Sequence, residues 1–187
     1  MDETMGNQQG YPTEGDLYWL SGMLNGDGCF SLKFRTREGT VKCDLSVTLT
    51  QCDVCLIEKA SSIMERLGVN PSIAEYPASG AGNRTKYNLR ITKMASIQTV
   101  LNAIADKLAG EKQAQAKLML RYVNRRIQFS DPTLRRNNQI ADDSEAIAIA
   151  REFLSVRGSG LPDDVVAALN DYPSREYAQA RGSARHA

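Results

Sequence analysis

Between Cys29 and Gln51 the side chains alternate in character almost without a break, and no other feature of the chain restricts the fold as much. Phe30, Leu32 and Phe34 alternate with Ser31, Lys33, Arg35 and Arg37. After a Glu38-Gly39 turn, Val41, Cys43, Leu45, Val47 and Leu49 alternate with Lys42, Asp44, Ser46, Thr48 and Thr50. A period of two puts each set on its own face of a strand, and the short connection makes the pair a β-hairpin. A ribbon that is apolar on one side needs a cover. Helical segments supply it. Asp16 to Asn25 reads as a helix, with Asp16 as N-cap and Gly26-Asp27-Gly28 as its stop. Asp53 to Leu67 places Leu56, Ile57, Ala60, Ile63, Met64 and Leu67 at helical spacing and ends at Gly68. Ser72 to Tyr76 and Arg84 to Thr92 read as two more strands around a turn-rich loop, Pro77 to Asn83. Helical periodicity returns over Ser96 to Leu108 and Gln113 to Ile127, and two short helices are expected over 142–156 and 162–170. The order is α-β-β-α-β-β-α-α plus a C-terminal extension, an α+β class. The opening helix-Gly-Asp-Gly unit occurs once.

The 187 residues suffice for one sizeable domain with tails. The expected division is a flexible N-terminal tail over 1–15, a core over 16–130, a helical extension over 131–172 and a flexible tail over 173–187. No apolar run approaches the ~18 residues that span a bilayer, and residues 1–10 lack the basic and apolar regions of a signal peptide. The expectation is an intracellular, soluble protein with no membrane partner; organellar, bacterial and phage origins are not distinguished. The formal net charge of +1 conceals a pattern. Residues 1–30 hold five acids and no Lys or Arg, residues 31–137 hold 18 basic and nine acidic side chains, and residues 138–187 hold five and eight. A basic middle between acidic flanks points to an anionic partner for the middle.

The four cysteines are Cys29, Cys43, Cys52 and Cys55. Cys52-Asp53-Val54-Cys55 has the spacing of half a zinc site, but a structural site needs a second pair or histidines. The one histidine is His186, at the end of the chain. Buried or incidental thiols are the better reading, and active-site histidine chemistry of the HNH kind is disfavoured for the same reason.

Leu20-Ser21-Gly22-Met23-Leu24-Asn25-Gly26-Asp27-Gly28 resembles the LAGLIDADG motif of homing endonucleases and intron maturases. The agreement lies in Leu20, Gly22, the apolar pair Met23-Leu24, Gly26-Asp27-Gly28 and the aromatic Phe30. The family's αββαββα order follows over roughly residues 16–127. The resemblance implies a LAGLIDADG fold with an antiparallel DNA-binding sheet, extended here by C-terminal helices. It implies a site-specific endodeoxyribonuclease, cutting a long, partly palindromic double-stranded target, as in intron homing. Gly22 and Gly26 lie four apart on one helix face, where small residues let two helix backbones approach. In the family that face is a dimer interface. Asp27 falls at the helix end, against partial negative charge and, in a dimer, a second copy of itself, so a cation is called for. The implied cofactor is Mg²⁺, bound by Asp27 and the Gly26 carbonyl. Mn²⁺ is expected to substitute, and Ca²⁺ to bind without efficient turnover.

The resemblance extends to Gln51 as a water-positioning residue and Lys112 as a basic residue toward the attacking water or the phosphate, which makes Asp27, Gln51 and Lys112 the candidate catalytic set. Two positions depart from the family pattern. Asn25 stands where the motif has its earlier acid, and the basic residue expected just after Gln51 is missing from Cys52-Asp53-Val54-Cys55. The polar hairpin face supplies the candidate DNA contacts Ser31, Lys33, Arg35, Arg37, Lys42, Asp44, Ser46 and Thr48, extended by Arg84, Lys86, Asn88 and Arg90. A two-stranded ribbon fits the major groove, and mixed Lys/Arg with Ser/Thr/Asn/Asp can read base edges. Aromatic residues are scarce on it, which disfavours single-strand or RNA platforms. One motif copy per chain implies a homodimer on double-stranded DNA, with no small-molecule substrate. The competing readings are an RNA-binding intron maturase of the same fold and a DNA-binding regulator whose nuclease site has decayed.

Overall fold

A computed structural model describes residues 10–37, 40–80, 82–128 and 143–170. The Glu38-Gly39 turn, residue 81, the ends 1–9 and 171–187 and the stretch 129–142, which include most of the two expected tails, lie outside the described residues.

Helix α1 spans Glu14–Asp27, two residues earlier than the sequence pattern suggested. Its N-cap is Thr13, not Asp16. The Thr13 hydroxyl accepts the Asp16 N–H at 3.2 Å, and the Asp16 carboxylate accepts the Thr13 N–H at 3.0 Å. Asp16 is therefore the third helical residue of a reciprocal capping box, so Glu14 and Gly15 belong to the core rather than to a tail. Hydrogen bonds from Thr13, joined by the Arg66 guanidinium 2.9 Å away, hold the Asp16 carboxyl below the usual carboxylate range.

Strands β1 (Gly28–Arg37) and β2 (Thr40–Gln51) form the expected hairpin. Helix α2 (Val54–Arg66) follows, capped by Asp53, then β3 (Ser72–Tyr76), β4 (Lys86–Ile91), α3 (Met94–Ile104), a 3-10 turn (Ala105–Lys107), α4 (Gly110–Gln128) and α5 (Ser144–Val156). A last short helix, α6, covers 163–170. The four strands make one antiparallel sheet in the order β1-β2-β4-β3. Its register pairs Phe30 with Val47, Leu32 with Leu45 and Leu49 with Leu89, all on one face and all buried. The helices pack there, with Leu20, Leu24, Ile57, Ile63, Met64, Ile97 and Leu101 fully buried among the strand side chains.

Helix α4 runs on beneath β1 and places Tyr122 against Cys43 of β2. Burial pushes the Cys43 thiol up to about 12, which marks it as a core group. Cys52 and Cys55 are exposed, and Cys29 is half-buried. The C-terminal helices lean on α4 and on β1, the outer strand of the sheet. The Arg157 Nη1 donates to the Phe30 carbonyl at 3.4 Å, the Thr36 hydroxyl donates to the Asp164 carboxylate at 2.6 Å, and Val165 is buried. Covering an edge strand in this way removes a template for unwanted pairing. Among the described residues no helix is long and apolar enough to cross a membrane.

Candidate functional site

The end of α1 is where the chain concentrates its chemistry. The helix stays regular through Asp27, and Gly28 closes it with extended backbone (φ −77°) by donating its N–H to the Leu24 carbonyl. Gly28 is therefore not the left-handed terminator that a glycine after a helix suggests. Its need for glycine is a matter of space: a Cβ would stand 2.5 Å from the Leu24 oxygen and 2.7 Å from its Cα. The chain leaves the last helical turn and enters β1 with no gap, which fixes Asp27 at the junction, exposed to solvent.

Two other elements reach this junction. Gln51, the last residue of β2, donates its side-chain amide to Asp27 Oδ2 at 2.5 Å. Lys112, in the first turn of α4, donates its ammonium to the Gly28 carbonyl at 2.5 Å. Asp27, Gln51 and Lys112, far apart in sequence, thus meet around two consecutive residues. Gln51 holds the carboxylate by one donor and keeps its amide oxygen for another partner, and an ammonium has two donors beyond the one used here. The donor set suits a hard divalent cation, since an exposed carboxylate and the neighbouring Gly26 carbonyl are oxygen ligands. It is incomplete in one chain. Among the described residues no cluster of three or more His, Cys, Asp or Glu is placed to hold a metal.

The outward sheet face gathers most of the polar side chains that the alternation assigns to it. Across the strands Lys33 pairs with Asp44, Arg35 with Lys42, Thr48 with Arg90 and Thr50 with Asn88, so these side chains share one surface. Lys33, Arg35, Lys86 and Arg90 are exposed, and Lys42, Asp44, Thr48 and Asn88 half-buried. Arg35 leans back on Asp44, Nε to Oδ2 2.8 Å, an exposed pair worth at most about 1 kcal/mol. That is weak enough to release the guanidinium to a stronger anion. A recess of about 680 Å³ lies beside this face, where β2 runs on past the end of β4, lined by Lys33, Asp44 and Arg90 and also by the apolar Cys43, Leu45, Met94 and Ile127.

Four of the residues expected on this face need correction or fall outside the described residues. Ser31 and Ser46 are on the right face but buried, at 6% and 9% exposure. They are short, lie opposite one another, and are flanked by longer side chains at Lys33 and Arg90, so they do not project outward. Arg84 precedes β4 and sits in the loop, not in the strand row. The side chain of Arg37 lies outside the described residues. The sequence reading also missed members of the surface. The β3 register puts Ser72 and Tyr76 beside Arg90 and Lys86, and Tyr76 is 58% exposed, an aromatic group on a face where aromatic residues were expected to be scarce. Thr50 and Asn88 are tied to each other at 2.7 Å. The alternation of Ser72, Ala74 and Tyr76 was the available signal.

The remaining feature is the far side of α1. Leu17, Leu20, Ser21 and Leu24 are buried against the chain's own core. Gly22 and Gly26 are exposed on another side, and a Cβ at either meets nothing within 4 Å. Tyr18, on that side too, is 56% exposed, with the Lys107 ammonium 4.6 Å from its ring centre. Among the described residues no close contact calls for glycine at positions 22 and 26.

Residues 14–105 match the family model of the LAGLIDADG-like domain. A search of curated protein sequences returned no significant match. Among solved structures, the homing endonuclease I-CvuI, crystallised with DNA targets in the presence of Mg (with the DNA not cleaved) and of Ca, superimposes with a TM-score of 0.59 at 20% identity, over 85% of this chain and 97% of that one. The homing endonuclease I-TnaI matches with a TM-score of 0.54 at 14% identity, over 83% of this chain and 96% of its own. The LAGLIDADG homing endonuclease I-GzeII, in complex with its DNA target, has a TM-score of 0.54 at 14% identity over 84% of this chain, but only 48% of its own length is covered. At these identities the likeness establishes the fold.

Proposed function

We propose, from the premise that residues 14–105 place this chain in the LAGLIDADG family, that it is a divalent-metal-dependent, site-specific endonuclease of double-stranded DNA acting as a homodimer. The observation that carries the reading is the meeting of Asp27, Gln51 and Lys112 at the α1–β1 junction, from three separate elements. A structural role alone does not require a carboxylate, an amide and an ammonium to converge on an exposed helix end beside a cationic sheet face.

Asp27 and the Gly26 carbonyl would hold Mg²⁺, with Mn²⁺ an alternative. When bound, the ion supplies charge neutralisation and a water of lowered pKa for phosphodiester attack. The chain's own groups do the rest. Gln51 fixes the Asp27 carboxylate and can orient a water with its free amide oxygen. Lys112 offers positive charge to the phosphate or to the attacking oxygen. Lys33, Arg35, Lys42, Asp44, Thr48, Lys86, Asn88 and Arg90 present a mixed donor and acceptor surface of the kind that reads base edges in the major groove.

Two copies are inferred because one carboxylate serves one strand. The chain's match to nearly all of I-CvuI and I-TnaI, and to about half of I-GzeII, supports a unit that works in pairs. The open Gly22 and Gly26 face of α1 supplies the seam. Symmetry then calls for a partly palindromic target.

The test uses duplex DNA selected by the wild-type protein from a randomised palindromic library. Mg²⁺ should support double-strand cutting, and Ca²⁺ binding with little turnover. Asp27→Asn should keep binding and lose cutting by about three orders of magnitude, the scale of a dominant electrostatic contribution to catalysis. Cutting by Asp27→Asn at the wild-type rate would refute the site assignment.

A further inference from the structure

Asn25 occupies the turn of α1 before Asp27, and its side chain is used across the fold. Its Oδ1 accepts the backbone N–H of Ala109 at 3.2 Å, 84 residues away. Ala109 is the residue from which α4 starts, since its carbonyl takes the first helical bond, from Gln113 N–H at 3.3 Å. It stands in the N-cap position, but alanine has no side chain with which to cap, and Gly110 after it has left-handed backbone (φ +56°).

In a self-contained helix start, an acidic or amide side chain three residues on reaches back to the N-cap N–H. Here that position is Lys112, a donor that cannot accept. Asn25 takes over the missing acceptor from another helix. The released lysine instead donates to the Gly28 carbonyl, again across 84 residues. The last turn of α1 and the first turn of α4 are thus joined at two points in the same register, Asn25 to Ala109 and Gly28 to Lys112. The second point lies next to Asp27.

We infer that Asn25 is a positioning residue for Lys112: its amide oxygen anchors the start of α4 on α1 and so sets the lysine ammonium beside the Asp27 site. The inference rests on the proposed nuclease reading for its activity consequence, but not for its geometry. It also accounts for an amide at position 25. The position needs an acceptor oxygen, which an amide or a carboxylate supplies alike.

Both levels can be tested in the full chain. Amide hydrogen exchange at Ala109 should be protected in the wild type and in Asn25→Asp, which keeps the acceptor, and faster in Asn25→Ala. Open-chain exchange at Ala109 in the folded wild type would overturn the inference whether or not the protein cuts DNA. On library-selected duplex, single-turnover cutting by Asn25→Ala should fall about 10- to 100-fold, the usual consequence of misplacing a reacting group. DNA affinity should stay within about twofold, the margin expected of independent sites, and Asn25→Asp should restore cutting. The deciding comparison is Lys112→Ala alone against Lys112→Ala with Asn25→Ala. If Asn25 acts through Lys112, the double variant cuts no more slowly than the single one. Full additivity, or wild-type cutting by Asn25→Ala, would overturn the inference. A wild-type protein that selects and cuts no DNA at all, with Ala109 still protected, would instead count against the nuclease reading.

Discussion

Along α1, Leu17, Leu20 and Leu24 are sealed inside the chain's own core, while on another side of the same helix a Cβ at Gly22 or Gly26 would meet nothing within 4 Å. The buried side obeys the ordinary rule of a helix covering a sheet, with aliphatic side chains filling space between β2 and α3. The open side carries no charged residue between Leu17 and Gly26, although solvent-facing helix surfaces are usually charged. An apolar or small-residue composition on both sides is what a helix shows when both are meant to be covered. One cover is in the chain. The other, on the proposed reading, is a second α1.

The difference can be broken from either side. The largest effect is expected at Gly22. Overpacking costs about 1–3 kcal/mol for an inserted side chain, and a two-fold axis applies it twice. Gly22→Leu should therefore dissociate the dimer and abolish double-strand cutting together, while thermal unfolding of the protomer changes little. Loss of protomer stability with the dimer intact would place Gly22 in the core instead. Leu20→Ala should do the opposite. Deleting a fully buried leucine costs about 2–5 kcal/mol of folding stability, read as a lower denaturation midpoint, with no separate effect on how chains associate.

The outward face of the sheet shows the same division on a smaller scale, between an exposed side chain and a buried one. Lys33→Ala should weaken DNA binding by about 1–3 kcal/mol and relax preference at one base pair in each half-site. Ser31→Ala, two residues away on the same face but buried, should leave base preference unchanged. Selection from a randomised duplex library with each variant reads both outcomes. An equal loss of preference in the two variants would mean that the recess around Lys33 and Asp44 admits bases more deeply than its present shape allows.

What could be read from the sequence followed from periodicity, and what could not followed from contacts between distant segments. The hairpin, its two faces and the positions of α2, β3, β4, α3 and α4 were legible because each is written in local alternation or helical spacing. Asp27, Gln51 and Lys112 stood out only through the resemblance to the LAGLIDADG motif and what it implies for the positions that follow. The Thr13 cap was legible in principle, as Thr13-x-x-Asp16, but the more familiar helix-starting aspartate drew the boundary inward. Burial of Ser31 and Ser46 was not legible, since alternation assigns a face and says nothing about the depth at which a short side chain sits among long ones. Nor was the role of Asn25. It depends on a backbone N–H 84 residues away and on a lysine standing where a capping acid would serve. The bracing of β1 by Arg157 and Asp164 has the same character, a long-range match without a local pattern.

On the proposed reading two of these chains form one cutting unit through the open side of α1. Sedimentation of the wild-type protein at micromolar concentration, alone and on a duplex it has selected, measures this directly. The expected result is a dimer in both conditions, with two chains on each duplex and a monomer for Gly22→Leu. A wild-type monomer that still binds its specific duplex one chain at a time would contradict it.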